Sequence, residues 1–149
     1  MALKEQLMAD LKKAMKDKDN VWKNVVQMCR AAILQFEKDN KTTLDEQGVI
    51  EIIAKEVKKR KDVLPDYERS GREELIAEIK REIDILMSYL PKQLEESEIE
   101  DLVKEAIASV GASTMKDIGK VMAAVMPKTK GKADGKLVNE IVRKHLSGQ

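Results

Sequence analysis

The amino-acid sequence predicts an all-α fold, with an antiparallel bundle of about four helices over residues 1–93 and a small three-helix domain over residues 94–149. Three observations predict it. Apolar residues recur at spacings of three and four along most of the chain, which is the period of one helix face. Charged side chains make up 37% of residues and aromatics 3%, the balance of helices with one wet face. The breaks between periodic stretches are short and polar, so successive helices must fold back on one another.

Leu3, Leu7, Leu11, Ala14 and Met15 form the stripe of a first helix, which should end in Lys16-Asp17-Lys18-Asp19-Asn20. Trp22, Val25, Met28, Cys29, Ala32, Ile33 and Phe36 share one arc of a second, broken at Asp39-Asn40-Lys41. Thr43 with Glu46 reads as a capping box that opens a third helix through Val49, Ile50, Ile53, Val57 and Leu64. Pro65 has no backbone donor and should kink or end it. Ser70-Gly71-Arg72-Glu73 reads as another capping box before the widest stripe, Leu75, Ile76, Ile79, Ile83, Leu86, Met87 and Leu90, which Pro91 stops.

Pro91 to Glu96 reads as a hinge. Ser97 with Glu100 makes a third capping box for Ile99, Leu102, Val103, Ala106 and Ile107, with the helix ending near Gly111. Ser113 opens a helix bearing Met115, Ile118, Val121, Met122, Val125 and Met126, and Pro127 should end it. Its wet side carries Lys116 and Lys120, four residues apart. The last helix, capped by Asp134, has Leu137, Val138, Ile141, Val142, His145 and Leu146 on one half, and Lys136, Asn139 and Arg143 on the other.

Several function classes are poorly matched. Single-stranded RNA readers built on sheets stack bases on aromatic platforms, and only Trp22, Phe36, Tyr67 and Tyr89 are available. Cys29 is the only cysteine, so no internal disulfide can form, and no Cys/His cluster offers a zinc site. Within an apolar arc and without a basic neighbour on its face, Cys29 reads as a core residue and not as a nucleophile. The methionine stripe likewise reads as core, since no Cys or His shares it. Lys58-Lys59-Arg60-Lys61 points in four directions on a helix flanked by acids, and reads as a solvated face. The N-terminus opens straight into a charged amphipathic pattern, and the longest uncharged apolar run, Val121 to Met126, is too short to cross a bilayer. The expected setting is cytoplasmic, with no metal, no cofactor and no membrane partner.

Net charge becomes informative once it is divided along the chain. Residues 111–149 hold eight basic and three acidic side chains, whereas residues 1–110 hold 20 basic and 24 acidic ones. Lys128, Lys130, Lys132 and Lys136 crowd around Gly131, which can take a positive φ and turn the chain tightly. Such a loop suits a polyanion, bound by point charges that follow its backbone and not its bases. A Lys/Gly loop could equally just keep a helical junction soluble.

Resemblance separates the two readings. Val125-Met126, Thr129-Lys130-Gly131-Lys132-Ala133 and Leu137-Val138-Asn139-Glu140 resemble the tail domain of the B subunit of the glutamine-dependent aspartyl/glutamyl-tRNA amidotransferase. The whole chain, including Tyr89-Leu90-Pro91-Lys92-Gln93-Leu94, is similar to the stand-alone YqeY proteins of bacteria. The resemblance implies a helical N-terminal domain, a three-helix C-terminal domain and a tail that contacts tRNA away from the reacting end. Carried over by position, Lys128, Lys130, Gly131, Lys132 and Asn139 become the nucleic-acid contacts. Lys136 is added from its place on the wet face, with Lys116, Lys120 and Arg143 peripheral. Asp134-Gly135 stands where the amidotransferase tail has Asn-Pro, and the large catalytic domain and amidase subunit have no counterpart here.

The expectation is therefore a non-catalytic tRNA- or RNA-binding accessory protein of translation. Any associated activity would be that of a carbon-nitrogen ligase with glutamine as amido-N-donor, supplied by a partner. The alternative is an adaptor whose N-terminal bundle docks on a protein of tRNA charging or amidation.

Overall fold

Each apolar stripe becomes a helix in a computed structural model, which describes residues 2–148. Among the described residues the elements are α1 (Leu3–Lys16), α2 (Asn20–Asn40), α3 (Glu46–Ser70), α4 (Glu73–Met87), α5 (Glu96–Val110), a 3₁₀ turn (Met115–Asp117), α6 (Ile118–Thr129) and α7 (Gly135–Leu146). There are no strands among them, so the fold is all-α. The chain forms two compact units, Met1–Leu90 and Pro91–Gln149. The break falls after Leu90 and not after residue 93, because Gln93 and Leu94 hydrogen-bond to Gly131 and Lys132 of the second unit.

In the first unit α2 packs against α1, α3 and α4. Its core joins Leu7 and Leu11 of α1, Val25, Val26, Cys29 and Ile33 of α2, Val49, Ile53 and Val57 of α3, and Ile83 and Leu86 of α4. Covered on several sides, α2 buries Val26 beyond its predicted arc, while Met28 and Phe36 stay exposed.

The starts and stops differ from those the sequence suggests. The cap of α3 is Asp45, whose Oδ1 accepts from Gly48 N at 2.8 Å. Glu46 reaches away instead and accepts from Leu3 N at 2.9 Å. No side chain caps α4; Gly71, at φ 72°, closes α3 in the left-handed region, and Ser70 Oγ donates back to the Tyr67 carbonyl. In α5 the cap is Glu95 and not Ser97, with Glu98 Oε1 accepting from Glu95 N at 3.2 Å.

Neither proline ends its helix, since α3 continues past Pro65 to Ser70 and α6 past Pro127 to Thr129. A proline deprives the carbonyl four residues back of its donor. Those carbonyls belong to Lys61 and Ala123, both exposed, where water can supply one.

The basic run on α3 is also not wholly solvated. Arg60 is 8% exposed; its Nε donates to Glu82 Oε1 at 3.0 Å, Nη1 to the Glu56 carbonyl at 3.0 Å and Nη2 to Met28 Sδ at 3.4 Å. Only Lys58, Lys59 and Lys61 of the run face water.

In the second unit α5, α6 and α7 pack pairwise. Ile99, Val103 and Ala106 meet Val121 and Val125 of α6 and Val138, Ile141, Val142 and Leu146 of α7. Each fully buried valine there stabilises the unit by about 1.5–3 kcal/mol in transfer terms. This core fixes the end of α6 against the start of α7, and the turn between them carries the lysines.

Candidate nucleic-acid interface

The turn is organised around Thr129, the last residue of α6, which is 1% exposed. Its Oγ1 donates to the Val125 carbonyl at 3.3 Å, the usual way a hydroxyl satisfies itself inside a helix. Its own carbonyl accepts from Lys132 N at 2.8 Å and from Ala133 N at 2.9 Å, which folds the chain back at once. Gly131 sits at the bend, buried, with φ 75°. An L-residue held there would cost about 1–2 kcal/mol.

A strap from the start of the unit holds the outside of the bend. Gln93 Nε2 donates to the Gly131 carbonyl at 2.9 Å and to the Pro91 carbonyl at 3.0 Å. Leu94 N donates to the Lys132 carbonyl at 2.8 Å. The stretch that reads as a hinge in sequence is thus a clasp on the basic turn. Gln93 and Thr129 are the residues that sequence reasoning misses. The motif containing Gln93 was visible there, but nothing local said what its amide would grip.

Helix α7 begins with Asp134 as N-cap, its Oδ1 accepting from Lys136 N at 2.9 Å. That carboxylate sits where an anion could otherwise meet first-turn amides, so side-chain cations must hold any phosphate. Along the exposed side of α7, Arg143 Nε donates to Asn139 Oδ1 at 2.7 Å. The bond leaves the Arg143 Nη groups and the Asn139 amide nitrogen as further donors of the pair.

The structure sorts the sequence-predicted residues. Lys132 and Lys136 are exposed, beside the turn and in the first turn of α7, and have no ion-pair partner among the described residues. Lys130 is exposed at the C-cap of α6, its amide donating to the Met126 carbonyl at 2.9 Å. Lys128 lies inside α6, with Nζ 4.0 Å from Glu105 Oε1; both side chains are more than half exposed, so this contact is worth little. Gly131 acts through its backbone conformation and is buried, so it shapes the turn without offering surface to a ligand. Asn139 is half-buried and paired with Arg143, which brings Arg143 from the periphery to the face itself.

Lys116 and Lys120 stand apart from this group. Lys116 lies in the 3₁₀ turn and not on α6, and Lys120 sits about 12 Å along the helix axis from Lys128. Between them, the backbone N–H groups of Ser113 and Thr114 hold the Asp117 carboxyl below the usual range, with Lys120 adding to the effect. The charge of the second unit is also segregated, because α5 carries Glu96, Glu98, Glu100, Asp101 and Glu105 against Lys104 alone. The basic surface belongs to α6, the turn and α7.

Candidate catalytic groups fare differently. Burial pushes the Cys29 thiol up to about 12, with the Glu56 charge adding, so it is protonated at neutral pH. His145 is half-buried, its Nε2 3.8 Å from Glu100 Oε1 and without a hydrogen-bond partner among the described residues. Among those residues no group of three His, Cys, Asp or Glu is placed to hold a metal, and no helix is long and apolar enough to cross a membrane. The first unit holds a cavity of about 380 Å³ lined in part by Asp10, Asp19, Trp22 and Tyr89. These groups bond mainly to one another: Trp22 Nε1 donates to Tyr89 Oη at 3.0 Å, and Tyr89 Oη to Asp10 Oδ2 at 2.6 Å.

The geometry defines a class: an all-helical protein of two units whose second unit presents a clasped, lysine-bearing turn. The sequence model of the Yqey-like protein family matches residues 4–146, and the chain belongs to that family. It is 29% identical over 130 residues to altered inheritance of mitochondria protein 41, mitochondrial, of Pyrenophora tritici-repentis, covering 86% of this chain and 71% of that protein. The protein of the same name from Kluyveromyces lactis is 37% identical over 84 residues, 56% of this chain and 45% of that one. The chain thus spans only part of these relatives' length. A shorter match, 48% identical over 48 residues, is to the E subunit of glutamyl-tRNA(Gln) amidotransferase from Thermococcus sibiricus, covering 32% of this chain and 8% of that protein.

Proposed function

We propose that this is a non-catalytic RNA-binding accessory protein of the cytoplasm, with tRNA as its RNA, gripped through the turn between α6 and α7. The observation that carries the reading is the clasped turn itself. A buried Thr129, a left-handed Gly131 and the Gln93 amide hold Lys132 beside an α7 whose first turn carries Lys136, and neither lysine has a carboxylate partner among the described residues. Fixed cations that face water are what a phosphate backbone requires. The short similarity to proteins named for a tRNA amidotransferase supports tRNA over other RNAs. In this reading any link to carbon-nitrogen ligation runs through a partner, and the Cys29 thiol, buried and protonated, is a core residue. Gel shift with bulk tRNA at several salt concentrations tests the reading, comparing the natural chain with Lys130→Glu/Lys132→Glu. Equal binding by both removes the turn from the mechanism.

A second reading, a protein adaptor working through the first unit, is favoured by the α3–α4 hairpin. No residue from 61 to 82 is buried, and Val63 and Leu75 are 42% and 36% exposed. Pull-down after nuclease treatment should then recover a protein that is lost with Val63→Glu/Leu75→Glu. Partners that vanish with nuclease alone would count against it.

A further inference from the structure

We infer that the face formed by the turn and α7 takes double-helical RNA in preference to single strands; the inference rests on the RNA-binding reading and names its ligand class. The first reason is what the second unit lacks. All four aromatic residues, Trp22, Phe36, Tyr67 and Tyr89, lie in residues 1–90, and residues 91–149 contain none. Proteins that hold single strands obtain much of their affinity from bases stacked on aromatic rings, about 1–3 kcal/mol per base. The unit that carries the cations offers no Trp, Tyr or Phe ring, and its one imidazole, His145, is half-buried in the last turn of α7.

The second reason is the chemistry of the face, which presents donors. Lys132 and Lys136 contribute ammonium groups, Asn139 its amide nitrogen and Arg143 its Nη edge. Four acceptors nearby each hold one donor from the chain already. The Gly131 carbonyl takes Gln93, the Lys132 carbonyl takes Leu94 N, the Asp134 carboxylate takes Lys136 N, and Asn139 Oδ1 takes Arg143 Nε. Reading an unpaired base edge calls for donors and acceptors together. Phosphate oxygens and ribose hydroxyl lone pairs need donors alone, and a duplex displays these on its outside.

The third reason is rigidity. The clasp fixes the turn, and α7 is a rod of 12 residues, about 18 Å long. Cations borne on a fixed backbone match a fixed phosphate array. A flexible strand must be ordered against them at an entropic cost that stacking does not offset here.

The test uses the full chain and fluorescence anisotropy at one low salt concentration. The probes are an RNA duplex of about 20 base pairs, longer than the roughly 16 that compact duplex-binding domains span, and oligo(U) strands matched to it in phosphate number. The duplex should bind about tenfold or more tightly than oligo(U), the size of one missing base stack. Lys132→Ala/Arg143→Ala, shown to be folded by far-ultraviolet circular dichroism, should lose that advantage. Equal or tighter binding of oligo(U) overturns the duplex preference and leaves RNA binding standing. A duplex preference untouched by the variant overturns its assignment to this face. Binding of neither probe overturns both.

Discussion

The side-chain amide of Gln93 donates to the carbonyl of Gly131 across 38 residues of sequence, at 2.9 Å. The same nitrogen reaches the Pro91 carbonyl at 3.0 Å, so one side chain ties the first residues of the second unit to its basic turn. Replacing it leaves a buried glycine's carbonyl without this donor. Gln93→Ala should lower stability by about 1–2 kcal/mol in urea unfolding and speed hydrogen exchange at the Leu94 and Ala133 amides. Unchanged exchange at both would show that the clasp does not hold the turn.

Arg60 is the next most consequential polar side chain. Removing it takes a guanidinium from Glu82 and from Glu56, 5% exposed, and leaves Glu56 with Lys59 Nζ, 3.0 Å from its Oε2, as its one cation among the described residues. Arg60→Ala should cost about 1.5–3 kcal/mol, because hydrogen bonds to charged groups are lost at a buried site while Lys59 still faces Glu56. Arg60→Met/Glu56→Gln should recover much of that loss. A double variant no more stable than the single one contradicts this explanation.

Cys29 should be inert in the folded protein. It is 1% exposed, and burial raises its thiol to about 12. A disulfide reagent at pH 8 should label it only as fast as the first unit opens, and stoichiometrically in denaturant. Rapid labelling of the native chain would mean that α2 is not packed as described.

Acid should weaken the fold through three carboxyls whose proton affinity falls on folding. The Arg81 guanidinium lowers Asp19, the Lys4 ammonium lowers Glu37, and backbone N–H groups lower Asp117. A carboxyl lowered in the folded state contributes stability above its unfolded value, near 4 for Asp and Glu, and loses it as pH falls through the folded one. The unfolding midpoint in urea should therefore be flat from pH 7 to about 5 and drop below about 4. Arg81→Gln should make that drop shallower, and an unaltered acid limb would exclude the Asp19 pair as a contributor.

The helices were legible because burial has a period, and the stripes of Leu7–Leu11, Ile99–Val103 and Val138–Ile141–Val142 are buried as that period requires. Their ends were not. Thr43, Ser70 and Ser97 each begin a plausible capping pattern, yet packing fixes where each helix starts, and Asp45 and Glu95 occupy the cap positions of α3 and α5. Pro65 reads as a kink or stop and Pro127 as a stop because local rules cannot tell that the orphaned carbonyl faces water. Arg60 read as solvated because its partners Glu82 and Met28 come from other helices. At the candidate site the lysines and Gly131 stood out locally. The Gln93 clasp and the Asn139–Arg143 pair depended on where side chains turned after folding.

The most direct measurement is the salt dependence of binding to bulk tRNA. With Lys128, Lys130, Lys132 and Lys136 each neutralising one phosphate, log affinity should fall against log salt with a slope of about −3. Lys132→Ala/Lys136→Ala should bring that slope to about half, as two of four contacts go. A slope near zero, or one unaltered by removing both lysines, would contradict a phosphate-binding role for this turn.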